Sequence, residues 1–201
     1  MNPLANKLSE DEKVKFHHLV AKLLYLAKRT RPDLLPATAF LCTRVQAPDE
    51  DDYKKLGRCM RYLQLNPNVG LTLEANDLCN LKWWIDASYG VHHDMKSHTG
   101  AVSMAGKGAI YAMSSKQKLN TRSSTEAELV GVNDAMSMVL WVRKFIEAQG
   151  YTVKDNVIFQ DNMSAMLLEK NGKCSSGKKT RHIDIRYYFI TDNINHGTVR
   201  V

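Results

Sequence analysis

Apolar residues first recur along this chain at helical spacing. Phe16, Leu19, Val20, Leu23, Leu24 and Ala27 fall at i, i+3, i+4, i+7, i+8 and i+11, one stripe of a helix. Arg31-Pro32-Asp33 interrupts the pattern, because proline disfavours helical geometry in the residue before it. A second helical stretch is expected over 34–45. Pro48 and the run Asp49–Asp52 then open a third, with Tyr53, Leu56, Met60 and Leu63 on one face. Acidic residues at a helix start suit its dipole, so this run needs no metal to explain it. Asn66-Pro67-Asn68 ends the helix.

From residue 81 the pattern changes. LKWWIDASYG (81–90) is rich in β-favouring and aromatic residues and closes on glycine, which predicts a strand that looks buried. Two more strands are expected at 100–106 and 108–115, joined by a Gly-Lys-Gly turn. A long helix follows over 124–149, capped by Ser124 or Thr125, with Leu129, Val132, Met136, Val139 and Leu140 on its buried face and Gly150 as its stop. VIFQ (157–160) reads as a short, central strand and 164–169 as a small helix. A loop rich in Gly, Ser and Lys spans 171–181, a helix covers 182–195, and GTVRV looks like the start of a last strand. Strands interleaved with helices in this way predict an α/β layer with a mixed sheet over 79–201, preceded by a small helical segment over 1–78.

Composition narrows the class. Apolar residues make up 44% and charged residues 24% of the 201, an ordinary globular balance that argues against general disorder. No apolar run approaches the roughly 20 residues that span a bilayer, and the N-terminus carries no signal peptide, so no membrane partner and an intracellular location are expected. Cys42, Cys59, Cys79 and Cys174 lie far apart, without a CxxC pair or a matching histidine pair, which favours reduced thiols over a zinc site. The net charge is +7. Residues 1–78 hold 12 basic and 10 acidic side chains (+2), and 79–201 hold 16 and 11 (+5). A basic surplus is weak support for a polyanionic partner.

Three carboxylates sit where solvated charges are not expected. Asp86 follows Trp83-Trp84-Ile85 within a strand, and Asp161 comes directly after VIFQ. Either Glu126 or Glu128 lies in the first turns of the long helix. Each has a local explanation: Asp161 could cap the helix near Ser164, and Asp86 could end its strand. Helical geometry does not choose between the two glutamates, which lie about 200° apart on the helix and both flank its apolar stripe. Together the three positions suggest convergent carboxylates that need a cation to offset their repulsion. Hard oxygen ligands favour Mg2+ or Mn2+, and two such ions side by side can run an in-line displacement at phosphorus.

WIDAS (84–88), SSTEAEL (123–129), FQDNMSA (159–165) and KTRHIDIRYYFI (179–190) resemble the ribonuclease H region of copia-type LTR retrotransposon polyproteins. YLAKRTRPD (25–33) and RCMRYLQLNPNVGL (58–71) are similar to the segment that connects reverse transcriptase to ribonuclease H there. The resemblance implies a ribonuclease H-like fold and cleavage of the RNA strand of RNA:DNA hybrids. It implies two Mg2+ (or Mn2+) ions on Asp86, Glu128 and Asp161, and the remainder of the Pol polyprotein as partner. The expected locations are a cytoplasmic particle or the nucleus. It selects Glu128 over Glu126, since Glu128-Leu129-Val130-Gly131 fits the family's apolar-then-small pattern. It also implies a fourth carboxylate beyond the last strand, which the chain, ending at Val201, is expected to lack; Asp184 is the tentative substitute.

Lys116, Lys118, Arg122 and Ser123 are candidates for phosphate contacts near the long helix, as are Lys179 and Arg181 in the later loop, with His182 as a tentative member. Such groups give backbone affinity without sequence preference. The remaining histidines of interest, His92, His93 and His98, show no plausible ligand spacing.

Overall fold

A computed structural model describes residues 5–75, 78–172 and 184–201, with Asp184, Ile185 and Tyr187 described in backbone only. The chain forms two compact units, residues 1–72 and 73–201.

In the first unit, α1 (Glu10–Arg29) starts at a capping box: the Ser9 side chain accepts from the Glu12 backbone N–H, and the Glu12 carboxylate accepts from the Ser9 N–H. Its predicted stripe is buried through Phe16, Val20, Leu23 and Ala27. The region 34–45 divides into a 3-10 turn at Pro32–Leu34 and α2 (Leu35–Cys42). α3 (Glu50–Leu65) has a second capping box, between Asp49 and Asp52. The expected apolar face of α3 is only partly realised. Leu56 is buried, but Tyr53 and Met60 are exposed, and the first turn buries Asp52 instead. Arg44 Nε donates to Asp52 at 2.8 Å, which supplies the partner a buried carboxylate requires.

The second unit contains β1 (Asn80–Ser88), β2 (His98–Met104), β3 (Ala109–Lys116), α4 (Ser124–Ala148), β4 (Asp155–Phe159), α5 (Met163–Asn171) and α6 (Asp184–Asn195). The sheet order is β3-β2-β1-β4, with β1–β2 and β2–β3 antiparallel and β1–β4 parallel. This is the mixed, ribonuclease H-like α/β arrangement expected. β4, read as central, lies at the end of the strand order. Of GTVRV, the described structure forms a single parallel bridge from Arg200 to Val157 beside β4.

β1 alternates strictly. Leu81, Trp83, Ile85 and Ala87 are buried, whereas Lys82, Trp84, Asp86 and Ser88 are exposed. The strand is therefore buried on one face and not on both, and Asp86 belongs to the open face. The buried face packs beneath α4, where Leu129, Val132, Met136 and Val139 share one core with Trp83, Ala101, Ile158 and Ile190. Gly131 lies at this contact: a Cβ there would just touch Ala87 Cβ at 3.4 Å and Thr99 Cγ2 at 3.5 Å, leaving no room for a larger side chain. Gly150, at φ +89°, stops the helix region as expected.

Candidate metal centre

Three separate elements each supply one carboxylate. Asp86 stands near the end of β1, Glu128 in the second turn of α4, and Asp161 just beyond β4. One oxygen from each lies within 4.8 Å of the others, and no other group of three metal-ligating side chains gathers among the described residues. Parallel pairing of β1 with β4 sets Trp84 opposite Phe159, so Asp86 and Asp161 each lie two residues past the same rung.

Local structure removes the mundane role offered for Asp161. The N-cap of α5 is Asn162, whose side chain accepts from the Ala165 N–H at 3.0 Å. Asp161 is left exposed beside its two partners. The start of α4 resolves similarly, one residue earlier than expected. Ser123, and neither Ser124 nor Thr125, is the N-cap, and its Oγ accepts from the Glu126 N–H at 3.2 Å. Glu126 Oε2 accepts from the Arg122 N–H at 2.8 Å. Glu126 therefore serves the helix end, and Glu128 reaches the sheet.

Glu128 is buried, and its Oε1 accepts from the Ala87 N–H at 3.2 Å. Gln160 Nε2 donates to Oε2 at 3.5 Å. Burial pushes the Glu128 carboxyl up to about 7, the charges of Asp86 and Asp161 push the same way, and the two donors act against them. A cation among the three would offset this repulsion, and the donors are oxygens throughout, so the set fits Mg2+ or Mn2+. Sequence reasoning missed Gln160; its one signal was adjacency to Asp161. It missed Gln117 as well, a buried side chain that donates to Thr99 Oγ1 at 3.0 Å and to the Ala127 carbonyl at 2.9 Å, tying the end of β3 to the first turn of α4.

A second carboxylate is buried nearby. Glu169 on α5 is fully buried, neither of its oxygens accepts a hydrogen bond from the described residues, and burial together with the charge of Glu128 raises it to about 8.

The nucleic-acid candidates fare differently. Lys118 and Arg122 are exposed. Lys116 is held by Asp94 at 2.7 Å, and Ser123 is committed as a helix cap. Lys179, Arg181 and His182 lie outside the described residues, as does the side chain of Asp184. Among the histidines, His92 Nε2 and His98 Nδ1 lie 3.0 Å apart, a proximity that their spacing in the sequence does not display. No helix among the described residues is long and apolar enough to cross a membrane.

No family model matches the chain. Among curated proteins, it is 34% identical over 188 residues to the retrovirus-related Pol polyprotein from transposon RE1 of Arabidopsis thaliana, covering 92% of this chain and 13% of that protein. It is 33% identical over 188 residues to the corresponding polyprotein from transposon RE2 of the same plant, with the same coverage. To the Pol polyprotein from transposon TNT 1-94 of Nicotiana tabacum it is 29% identical over 190 residues, covering 94% of this chain and 14% of that one. The chain thus spans about one-seventh of each relative's length. Matched over 92–94% of its length by one segment of these proteins, it belongs with the copia-type, retrovirus-related Pol polyproteins of transposons.

Proposed function

We propose that residues 73–201 hydrolyse the RNA strand of RNA:DNA hybrids with Mg2+, as part of a retrotransposon Pol polyprotein. In the same reading, the first unit is the segment connecting reverse transcriptase to ribonuclease H. One observation carries the proposal: Asp86, Glu128 and Asp161 converge from β1, α4 and the end of β4. All three would hold the ion, which when bound supplies positive charge to the carboxylates and to a scissile phosphate. Asp86 and Asp161 are exposed and open to a phosphodiester, whereas Glu128 is fixed from behind by Ala87 and Gln160. Without a cation, Glu128 holds its proton up to about neutral pH, so ion binding and deprotonation of its carboxyl are coupled. Lys118 and Arg122 would grip the nucleic-acid backbone.

A second reading, a hybrid-binding remnant without catalysis, is favoured by one fact. Three carboxylates and no fourth gather among the described residues. One assay separates the two. The chain is incubated with Mg2+ and labelled RNA:DNA hybrid, DNA duplex or RNA duplex, alongside Asp161→Asn. Hybrid cleavage that falls to background in the variant supports the nuclease. Hybrid binding without cleavage supports the remnant, and cutting of DNA duplex rejects both.

A further inference from the structure

The loop between β1 and β2 is folded tightly around one result, the meeting of two imidazoles. Met95 N–H donates to the His92 carbonyl at 2.8 Å, and His92 N–H donates to the Lys96 carbonyl at 3.1 Å. Closing this turn puts Met95 at φ 58°, a left-handed conformation that costs a non-glycine residue energy. The loop is also pinned from outside. Gly90 N–H donates to Ser97 Oγ at 3.2 Å, Ser97 Oγ shares a hydrogen with Thr121 Oγ1 at 2.9 Å, and Asn120 Nδ2 donates to the Asp94 carbonyl at 3.2 Å.

His98, the first residue of β2, is fixed on its other side. Its Nε2 lies 2.6 Å from Ser114 Oγ on the neighbouring strand. With Nε2–H donating to that hydroxyl, the Nδ1 lone pair points at His92 Nε2, 3.0 Å away, and the ring centroids are 5.2 Å apart. A metal-bound histidine characteristically gives its second ring nitrogen to such a partner. Two imidazole nitrogens sharing one tetrahedral ion at about 2.0–2.1 Å would lie about 3.3 Å apart, so an ion could replace the hydrogen between these rings after a small opening. Burial lowers the proton affinity of both histidines, which leaves neutral rings at neutral pH. The nearby charges sum to +1, since the single carboxylate of Asp94 pairs with Lys116 at 2.7 Å and Lys96 at 3.7 Å, so the two nitrogens must hold the ion without help from an acidic neighbour.

We propose that His92 Nε2 and His98 Nδ1 bind a borderline divalent transition-metal ion of the Zn2+ class, with Ser114 fixing the His98 ring. The donors are nitrogens, so the site selects against the hard ions suited to the three carboxylates. Register places Ser88 opposite His98 and Asp86 opposite Gly100, so the pair shares the open sheet face with Asp86 as a second, chemically distinct cation site. It stands whether or not the chain is a nuclease.

The test titrates Zn2+ into the full chain labelled with 15N at histidine. One ring nitrogen from each of two histidines should move to its metal-bound position. His92→Ala, which alters only a loop side chain, and His98→Ala should each abolish that pair of shifts, while Asp161→Asn keeps it. Ser114→Ala, which leaves both donors in place, should weaken Zn2+ by about tenfold. Shifts that survive both histidine substitutions, shifts lost in Asp161→Asn, or no nitrogen shift at millimolar Zn2+ would each overturn the proposal. The circular-dichroism melt of His92→Ala, expected to match the parent, shows that its loss is not unfolding.

Discussion

Glu128 and Glu169 are buried differently within one unit: the first has two donors and two like-charged neighbours, whereas the second has no donor among the described residues and only the opposing charge of Lys170 beside it. Both are raised above their ordinary 4.5, to about 7 and about 8. Between pH 4.5 and 8 these two groups bind more protons in the folded chain than in the unfolded one, so by linkage their contribution to stability falls as pH rises through that window, whereas the lowered His92 and His98 contribute in the opposite sense. The expected loss without divalent ions is on the order of a few kcal/mol, since a tenfold change in proton affinity corresponds to about 1.4 kcal/mol. Urea denaturation at pH 5 and pH 8 measures it. Glu169→Leu should flatten the upper part of the profile and raise stability at pH 8, because it removes a buried carboxyl that has no hydrogen-bond donor among the described residues. Adding Mg2+ at pH 8 should restore stability to the parent chain, and a rise of the same size in Glu128→Gln would show that the ion binds elsewhere.

At the scale of elements, α4 carries the site because its first turns are anchored twice, by the Ser123 cap and by Gln117 at the end of β3. Ser123→Ala should destabilise the unit by about 1 kcal/mol, read from its thermal midpoint, whereas Ser124→Ala should be near neutral. Gly131→Ala meets Ala87 and Thr99 at ordinary contact distances and should be tolerated. Gly131→Leu should wedge the helix off β1, costing about 1–3 kcal/mol, and weaken Mg2+ binding, since Glu128 lies one turn earlier. Much of this was legible in the sequence. The apolar stripe of α4, the strand pattern and the carboxylates after WWI and VIFQ all rest on local periodicity, which a chain displays directly. The cap was misplaced by one residue because Ser123, Ser124 and Thr125 are all competent caps, and only backbone dihedrals choose among them. The parallel pairing of β4 with β1 and the meeting of His92 with His98 depend on long-range contact and on one left-handed residue, neither of which periodicity encodes.

Across the whole molecule, the excess of basic residues in the second part should make the proposed hybrid binding salt-dependent. Lys118→Ala and Arg122→Ala should each reduce the slope of log affinity against log salt by about 1, without changing sequence preference. A slope unchanged in both variants would remove these residues from the interface. The parallel pairing of β1 with β4 has a consequence in time. β1, β2 and β3 are joined by short connections and can pair early, but Asn80 must find Asp155 across 75 residues of chain. Such distant contacts pay their loop-closure entropy before they return any stability. The three carboxylates converge only once that pairing exists, so a chain caught with its first three strands formed has no centre to offer. In stopped-flow experiments, Mg2+ should leave the refolding rate of the chain nearly unchanged and act almost wholly by slowing its unfolding.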